Sequence, residues 1–289
     1  MKKERVLPYI LLLPCLVMVI VLYGYPIMLI FYQSFHQINL LNNQASFVGL
    51  DNYRRIVEDD TFYKVLSLTF RYTLVTVSLK MGLGFLFAYL LYRQRYFKKT
   101  FRFLTLVPWA IPQVAVATLW KWLLDSKYGY INYYLMKFHL IKQPILFLAR
   151  PIPAFYSLAF VDAWLGISLV SLMLLASLEQ IPQSLYEAAE MDGAGPWRQF
   201  VDITLTEMKK SLITVLILVS IWTFNSFNVI FILTQGGPMR STETLIIKIY
   251  QEAFNRFNLG ASASLSVIAV LILLILSTIY IRRLHDEKK

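Results

Sequence analysis

Apolar positions in this chain do not alternate with polar ones over most of its length; they run on. Six such runs, at 8–32, 65–92, 103–124, 154–177, 211–234 and 261–281, are separated by polar stretches rich in Lys, Arg, Asn and Gly. Each run reaches the roughly 20 residues that a helix needs to cross a hydrocarbon layer, so six spanning helices are expected. In lipid the backbone must satisfy its own hydrogen bonds, which makes helices the only reading of runs this long. The chain is therefore expected to be an all-α polytopic membrane protein, with 65–281 forming a single transmembrane domain.

Within the runs, a few interruptions carry information. Pro108 and Pro112 fall inside the third span, where each removes a backbone donor, so a kink is expected there, either for packing or for gating. Arg71 and Lys80 lie in or beside the second span, and their long stems are expected to snorkel to the headgroups. Trp222, Asn225 and Asn228 recur at three-residue spacing in the fifth span and are expected to share a face, with Asp162 and Trp164 in the fourth span as further polar or aromatic candidates. Amides that donate and accept, next to an indole face, suit the hydroxyls and C–H surface of a sugar. The same residues could equally knit helices together.

Charge sets the orientation. Lys2, Lys3 and Arg5 precede the first span, Arg93, Arg95, Lys98, Lys99 and Arg102 crowd the link 93–102, and Arg282 and Arg283 follow the sixth. By the positive-inside rule these segments face the cytoplasm, which six spans permit with both termini, 1–7 and 282–289, inside. The stretches 33–64, 125–153 and 235–260 then lie outside. Lys127, Lys137, Lys142 and Arg150 in the second outer stretch run against the rule, at lower density. Its neighbours Trp120, Trp122, Tyr128, Tyr130, Tyr133 and Tyr134 suit an interfacial aromatic belt. Leu13-Pro14-Cys15 could be read as a leader cleavage site, but the apolar segment is too long and proline is the wrong residue before the cysteine.

Composition narrows the function classes. Only 16% of residues are charged and 57% are hydrophobic, against about 25% charged in a soluble domain. The net charge of +11 sits beside apolar runs and reads as a topology signal, not a nucleic-acid surface. The single Cys15 excludes an intrachain disulfide, and His36, His139 and His285 have no metal-ligand spacing. With no phosphate-binding glycine loop and no nucleophile elbow, no enzyme activity is expected of the chain, and no cofactor.

The segment 178–210 is the one long charged stretch between two spans on the expected cytoplasmic side. Pro182 can open a helix whose Ile181, Leu185, Ala188 and Ala189 share a face; Gly193–Gly195 stops it, and Pro196 opens a second helix with Trp197, Phe200, Val201, Thr204 and Leu205 on one side. Two short amphipathic helices around a rigid corner are expected.

Glu187-Ala188-Ala189, Gly193 and the later Ile203 and Leu205, flanked by Ile181-Pro182, Leu185-Tyr186 and Asp192-Gly193-Ala194, resemble the EAA loop of binding-protein-dependent ABC transporter permeases. Gly49-Leu50-Asp51-Asn52-Tyr53 and Thr234-Gln235-Gly236-Gly237-Pro238 resemble outer segments of the carbohydrate-uptake, maltose-transporter-type (MalF/UgpA-like) branch. The resemblance implies a type I importer permease of MetI-like fold, paired with a second, similar permease. It also implies two cytoplasmic ATPases that bind ATP and Mg, an extracytoplasmic solute-binding protein, a sugar or oligosaccharide as cargo and residence in the bacterial cytoplasmic membrane. Glu187, Ala188, Ala189, Asp192 and Gly193 would carry the coupling to the ATPase. Thr206 stands where the family usually has proline, so a kink there is not expected by analogy. Two alternatives are a permease of the same family for glycerol 3-phosphate, which would want basic residues in the path, and an ion-coupled carrier, which would want buried acids in several spans.

Overall fold

The computed structural model describes residues 2–39, 44–94 and 96–286. Arg95, residues 40–43 and residues 287–289, which belong to the expected basic link, first outer stretch and tail, lie outside the described residues. The chain is helical almost throughout: α1 (Lys2–Val19), a π-helical turn at Ile20–Gly24, α2 (Tyr25–Ser34), β1 (His36–Asn39), β2 (Gln44–Phe47), α3 (Asp51–Glu58) and α4 (Asp60–Arg93) come first. They are followed by α5 (Lys98–Ala110), α6 (Gln113–Leu123), α7 (Tyr130–Lys137), α8 (Pro151–Leu178) and α9 (Gln183–Met191). The last helices are α10 (Pro196–Gln199), α11 (Thr206–Phe224), α12 (Asn228–Leu233), α13 (Leu245–Tyr250) and α14 (Leu259–Asp286). Among the described residues, five helical stretches are long and apolar enough to span a membrane, or six if α5 and α6 count as one broken span.

Residues 1–64 and 248–273 form one compact unit. Its polar joint gives the Gly49–Tyr53 stretch a structural job. Gly49 turns the chain at φ +55°, and Asn52, buried on α3, donates to the carbonyls of Ser34 at 3.0 Å and His36 at 3.1 Å. Tyr53 Oη donates to Ser34 Oγ at 2.8 Å, and Ser264 Oγ donates to the Ser34 carbonyl at 3.0 Å. Gly260 has to be small here, since a Cβ would lie 2.4 Å from the His36 carbonyl oxygen. β1 and β2 pair antiparallel, with His36 opposite Phe47. Buried Lys248 donates to Asp59 Oδ2 at 2.9 Å and Thr61 Oγ1 at 2.8 Å.

Residues 65–247 and 274–289 form the second unit. One layer of its core joins Tyr72, Val116, Leu158, Leu165, Val229 and Ile230; another joins Val77, Val170, Leu174, Leu178, Met208 and Val219. Within it, α4 and α8 approach so closely at Gly84 that a Cβ there would lie 2.5 Å from Val170 Cγ1, which is how small residues let spanning helices pack.

Three sequence expectations change in this unit. The third span is bent by 87° between α5 and α6, far beyond a kink, and the break falls at Ile111–Pro112 while Pro108 stays inside α5. A proline at the start of α6 needs no hydrogen bond to its missing N–H, so the chain restarts there. The fifth span also breaks, at Asn225–Phe227, between α11 and α12. Trp120 is not a belt residue: it packs edge-on against Phe160 at 5.3 Å and Trp164 at 5.9 Å, whereas Trp122 and Tyr128 are exposed.

Candidate functional site

Lys80 does not snorkel. Its side chain is 7% exposed, and its ammonium donates to Asp162 Oδ1 at 3.1 Å and Thr223 Oγ1 at 2.9 Å. Tyr72 Oη donates to the other carboxylate oxygen, Asp162 Oδ2, at 2.9 Å. Tyr72, Thr76 and Lys80, all buried, stand at i, i+4 and i+8, so one stripe of α4 faces Asp162 on α8 and Thr223 on α11. Burying two charges costs several kcal/mol each unless they are paired and hydrogen-bonded, and here both are. Gly166 makes the room, because a Cβ would sit 2.5 Å from Lys80 Cε and 2.7 Å from Cδ. The exposed Arg71 on the same helix stays outside this network.

The ion pair forms one wall of a cavity of about 490 Å³, within the roughly 300–1,000 Å³ usual for small-molecule sites. Trp222, Asn225 and Asn228 all line it, together with Trp109 and Gln113. They do not reach it from one helical face: α11 ends at Phe224, Asn225 and Ser226 line the cavity from the break, and α12 starts at Asn228. Asn228 Nδ2 donates to Gln113 Oε1 at 3.1 Å, which ties α12 to the restarted third span. Trp164 is placed elsewhere, lining a separate cavity of about 460 Å³ with Phe87, Leu104 and Pro108. The absence of basic residues from the fifth span therefore does not leave the cavity without a cation, since Lys80 enters it from α4.

The loop after α8 has the opposite character. Arg102 at the start of the third span pairs with Glu179. α9 then ends on a Schellman cap: Gly193 lies at φ +78°, its N–H donates to the Glu190 carbonyl at 3.0 Å, and the Ala194 N–H donates to the Ala189 carbonyl at 2.8 Å. The expected corner is therefore built by glycine's freedom at positive φ. The packed face of α9 keeps the expected Ile181 and Ala189 but exchanges Leu185 and Ala188 for Tyr186. Ile181, Tyr186 and Ala189 face inward while Leu185 and Ala188 are exposed, and Tyr186 Oη meets the buried Thr204 Oγ1 at 2.9 Å. Phe200 packs edge-on against Tyr89 at 5.6 Å, leaving Trp197 and Val201 exposed. The second helix is not short either, because α10 runs through a π-helical turn at Phe200–Leu205 straight into α11, and Thr206 is helical. Proline's absence at 206 explains the continuity, since Thr206 keeps an N–H and adds no ring to clash with the preceding turn.

What remains outside is an exposed knob. Met191 is 89% exposed and Trp197 76%, and Glu187, Ala188, Asp192 and Gly193 are exposed between them.

Residues 80–289 match the model of the family described as binding-protein-dependent transport system inner membrane component. Over 283 residues the chain is 34% identical to the trehalose/maltose transport system permease protein MalF of Thermococcus litoralis, covering 97% of this chain and 94% of that one. It is 32% identical over 288 residues to the sulfoquinovosyl glycerol transport system permease protein SmoG of Agrobacterium fabrum, covering 98% and 92%. Among solved structures, a bacterial ABC transporter involved in import of the acidic polysaccharide alginate has a chain of the same fold, with TM-score 0.83 at 20% identity over 97% of this chain and 96% of that one.

Proposed function

Because this chain belongs to the family of binding-protein-dependent transport system inner membrane components, we propose that it is one permease subunit of an ATP-driven importer that moves a sugar or oligosaccharide across the cytoplasmic membrane. It is a multi-pass protein of that membrane. The observation that carries the cargo reading is the cavity of about 490 Å³, where amides of Asn225 and Asn228 stand beside the indole of Trp222. Hydroxyls find donors and acceptors there, and the C–H face of a pyranose finds an aromatic surface.

The energy enters at the exposed knob. Glu187, Ala188, Asp192 and Gly193 would engage a cytoplasmic ATPase, with Ala189 backing them from the packed side and Met191 and Trp197 supplying apolar anchors of the kind that dominate protein interfaces. ATP and its magnesium would be held by two such ATPase subunits, this chain itself being non-catalytic. A second, similar permease would complete the path, and an extracytoplasmic binding protein would deliver the sugar. In support, a solved relative of the same fold is an alginate transporter in complex with a pentasaccharide-bound periplasmic protein. Both termini and the 178–210 loop would then face the cytoplasm.

Proteoliposomes containing the assembled transporter test the reading. Uptake of labelled sugar is expected to require ATP on the side of the ATPases and to fall by about tenfold when Trp222 and Asn225 are both replaced by alanine, as lost hydrogen-bonding and stacking groups in a binding site imply. Undiminished uptake would remove both residues from the path. Uptake by this chain without any ATPase would overturn the coupling.

A further inference from the structure

The fold does not decide the charge of the cargo, since a transporter of an acidic polysaccharide shares it. The cavity wall does. Its lining contains two charged side chains among the described residues, Lys80 and Asp162, and each is the other's partner at 3.1 Å. Two of the three N–H groups of Lys80 go to Asp162 and Thr223. Both oxygens of Asp162 are occupied, one by Lys80 and one by Tyr72.

We propose that this compensated pair makes the cavity a filter for uncharged, hydroxyl-rich solutes, with Asp162 as the specificity-determining residue. The inference rests on the reading of the cavity as a sugar path. An anionic cargo finds one N–H of an ammonium whose charge Asp162 already offsets, and to gain more it would have to draw Lys80 away, leaving a carboxylate that is 9% exposed with Tyr72 as its remaining partner. It would also have to approach that carboxylate, and like charges repel strongly where water is scarce. A cationic cargo meets the mirror problem at Lys80. A neutral polyol disturbs neither charge and hydrogen-bonds to the amides of Asn225 and Asn228. The pair cannot easily step aside: Lys80 lies against Gly166, where a Cβ would come within 2.5 Å of its Cε, so its stem runs in a slot on α8. Rejection here comes from groups left unpaired, which discriminates more strongly than a missing contact does.

The assembled transporter, in nanodiscs with its partner permease and ATPases but without binding protein, can be titrated with maltose, trehalose, digalacturonate and maltose 6′-phosphate. Tryptophan fluorescence and calorimetry report binding. At least one neutral disaccharide is expected to bind about tenfold or more tightly than either anion, as one uncompensated charge contact implies. Asp162→Asn frees the Lys80 charge and is expected to shift that ratio toward the anions by about tenfold or more. The net-neutral pair Lys80→Gln with Asp162→Asn should restore the preference for neutral sugars. Should Asp162→Asn fail to assemble, the wild-type ratio and the double variant still decide. Tighter binding of an anion by the wild type, or an Asp162→Asn ratio equal to wild type, overturns the filter while leaving sugar import standing. If none of the four binds to a complex that hydrolyses ATP, the carbohydrate reading itself falls, and the filter with it.

Discussion

The interior around Asp162 and the loop around Gly193 are both polar interruptions of an apolar chain, yet they are built in opposite ways. At Asp162 every charged atom has a partner within 3.1 Å, contributed by three different helices. At the loop the backbone is fixed by a helix cap, but Glu187, Met191 and Asp192 are exposed, and Trp197, whose ring tilts against Phe200 at 5.8 Å, still shows 76% of its surface. In the first region the fold is the partner; in the second it is only the mount. A polar group deep in a membrane must be matched within the fold, whereas a surface left apolar outside it calls for another protein.

The largest effect separating the two regions should come from breaking the pair. Asp162→Ala leaves Lys80 charged and buried with Thr223 alone, and is expected to destabilise the protein by about 3–5 kcal/mol, the range for an orphaned buried charge. Replacing both residues together, Lys80→Met with Asp162→Leu, should recover most of that loss, because a well-packed apolar pair avoids the desolvation cost altogether. Thermal or denaturant unfolding in detergent measures both. Equal stability of the single and double variants would mean that the pair does not act as a unit.

Next in size are the glycines that let α4 and α8 meet. Gly84→Leu drives a side chain into Val170, and overpacking of this kind costs about 1–3 kcal/mol. Gly166→Val should act differently at similar cost, by pushing Lys80 off Asp162 and so changing solute preference as well as stability. The two variants separate packing from charge placement: altered preference in Gly84→Leu, or none in Gly166→Val, would erase that distinction.

The loop should respond in the reverse sense. Trp197→Ala and Met191→Ala remove exposed groups and are expected to change stability by no more than about 0.5 kcal/mol, as surface substitutions do, while uncoupling ATP hydrolysis from uptake. Gly193→Val combines the two, because a branched residue at φ +78° is strained by roughly 1–2 kcal/mol and would also open the corner. Coupled uptake and unfolding, measured on the same preparations, show whether function and stability part company here as they do not at Asp162.

The sequence made the mount legible and the partnership illegible. Long apolar runs locate the spans because length and hydropathy are properties of a segment by itself. The corner at Gly193 could likewise be read, since a left-handed cap is a local demand. Of the face expected for α9, Ile181 and Ala189 do turn inward, but Tyr186 takes the place of Leu185 and Ala188, because a short helix with apolar residues on two sides does not say which side the core will take. Lys80 reads as a headgroup residue for a similar reason. A lone lysine in an apolar run has two solutions, and the choice depends on Asp162, 82 positions away. A signal existed in the Tyr72, Thr76, Lys80 stripe, which puts polar groups on one face of a spanning helix, but its counterpart on α8 is a single aspartate beside a glycine. The breaks at Ile111 and Asn225 were not legible as breaks: proline marks the first without fixing its angle, and nothing marks the second except an asparagine able to hold its own turn through a 2.9 Å bond to the Ile221 carbonyl.

A third ion pair stands between the two extremes and should show the smallest effect. Asp59 is 41% exposed and is held by Lys248, which is 5% exposed. Partial burial pushes its pKa up, but hydrogen bonds from Thr61 and Lys248, with the lysine's charge, outweigh it and bring the carboxyl down to about 2 from 3.8. A carboxyl depressed in the folded state stabilises the fold above its unfolded pKa and loses that contribution as pH falls, so the window runs from about 4 down to about 2. Solvent screening at a half-exposed carboxylate keeps the gain small. Asp59→Asn should therefore flatten the acid limb of the unfolding profile slightly and leave it unchanged near neutrality apart from a constant offset. Were the acid limb of Asp59→Asn identical to wild type, the Lys248 contact would rank with the open loop rather than with the matched interior.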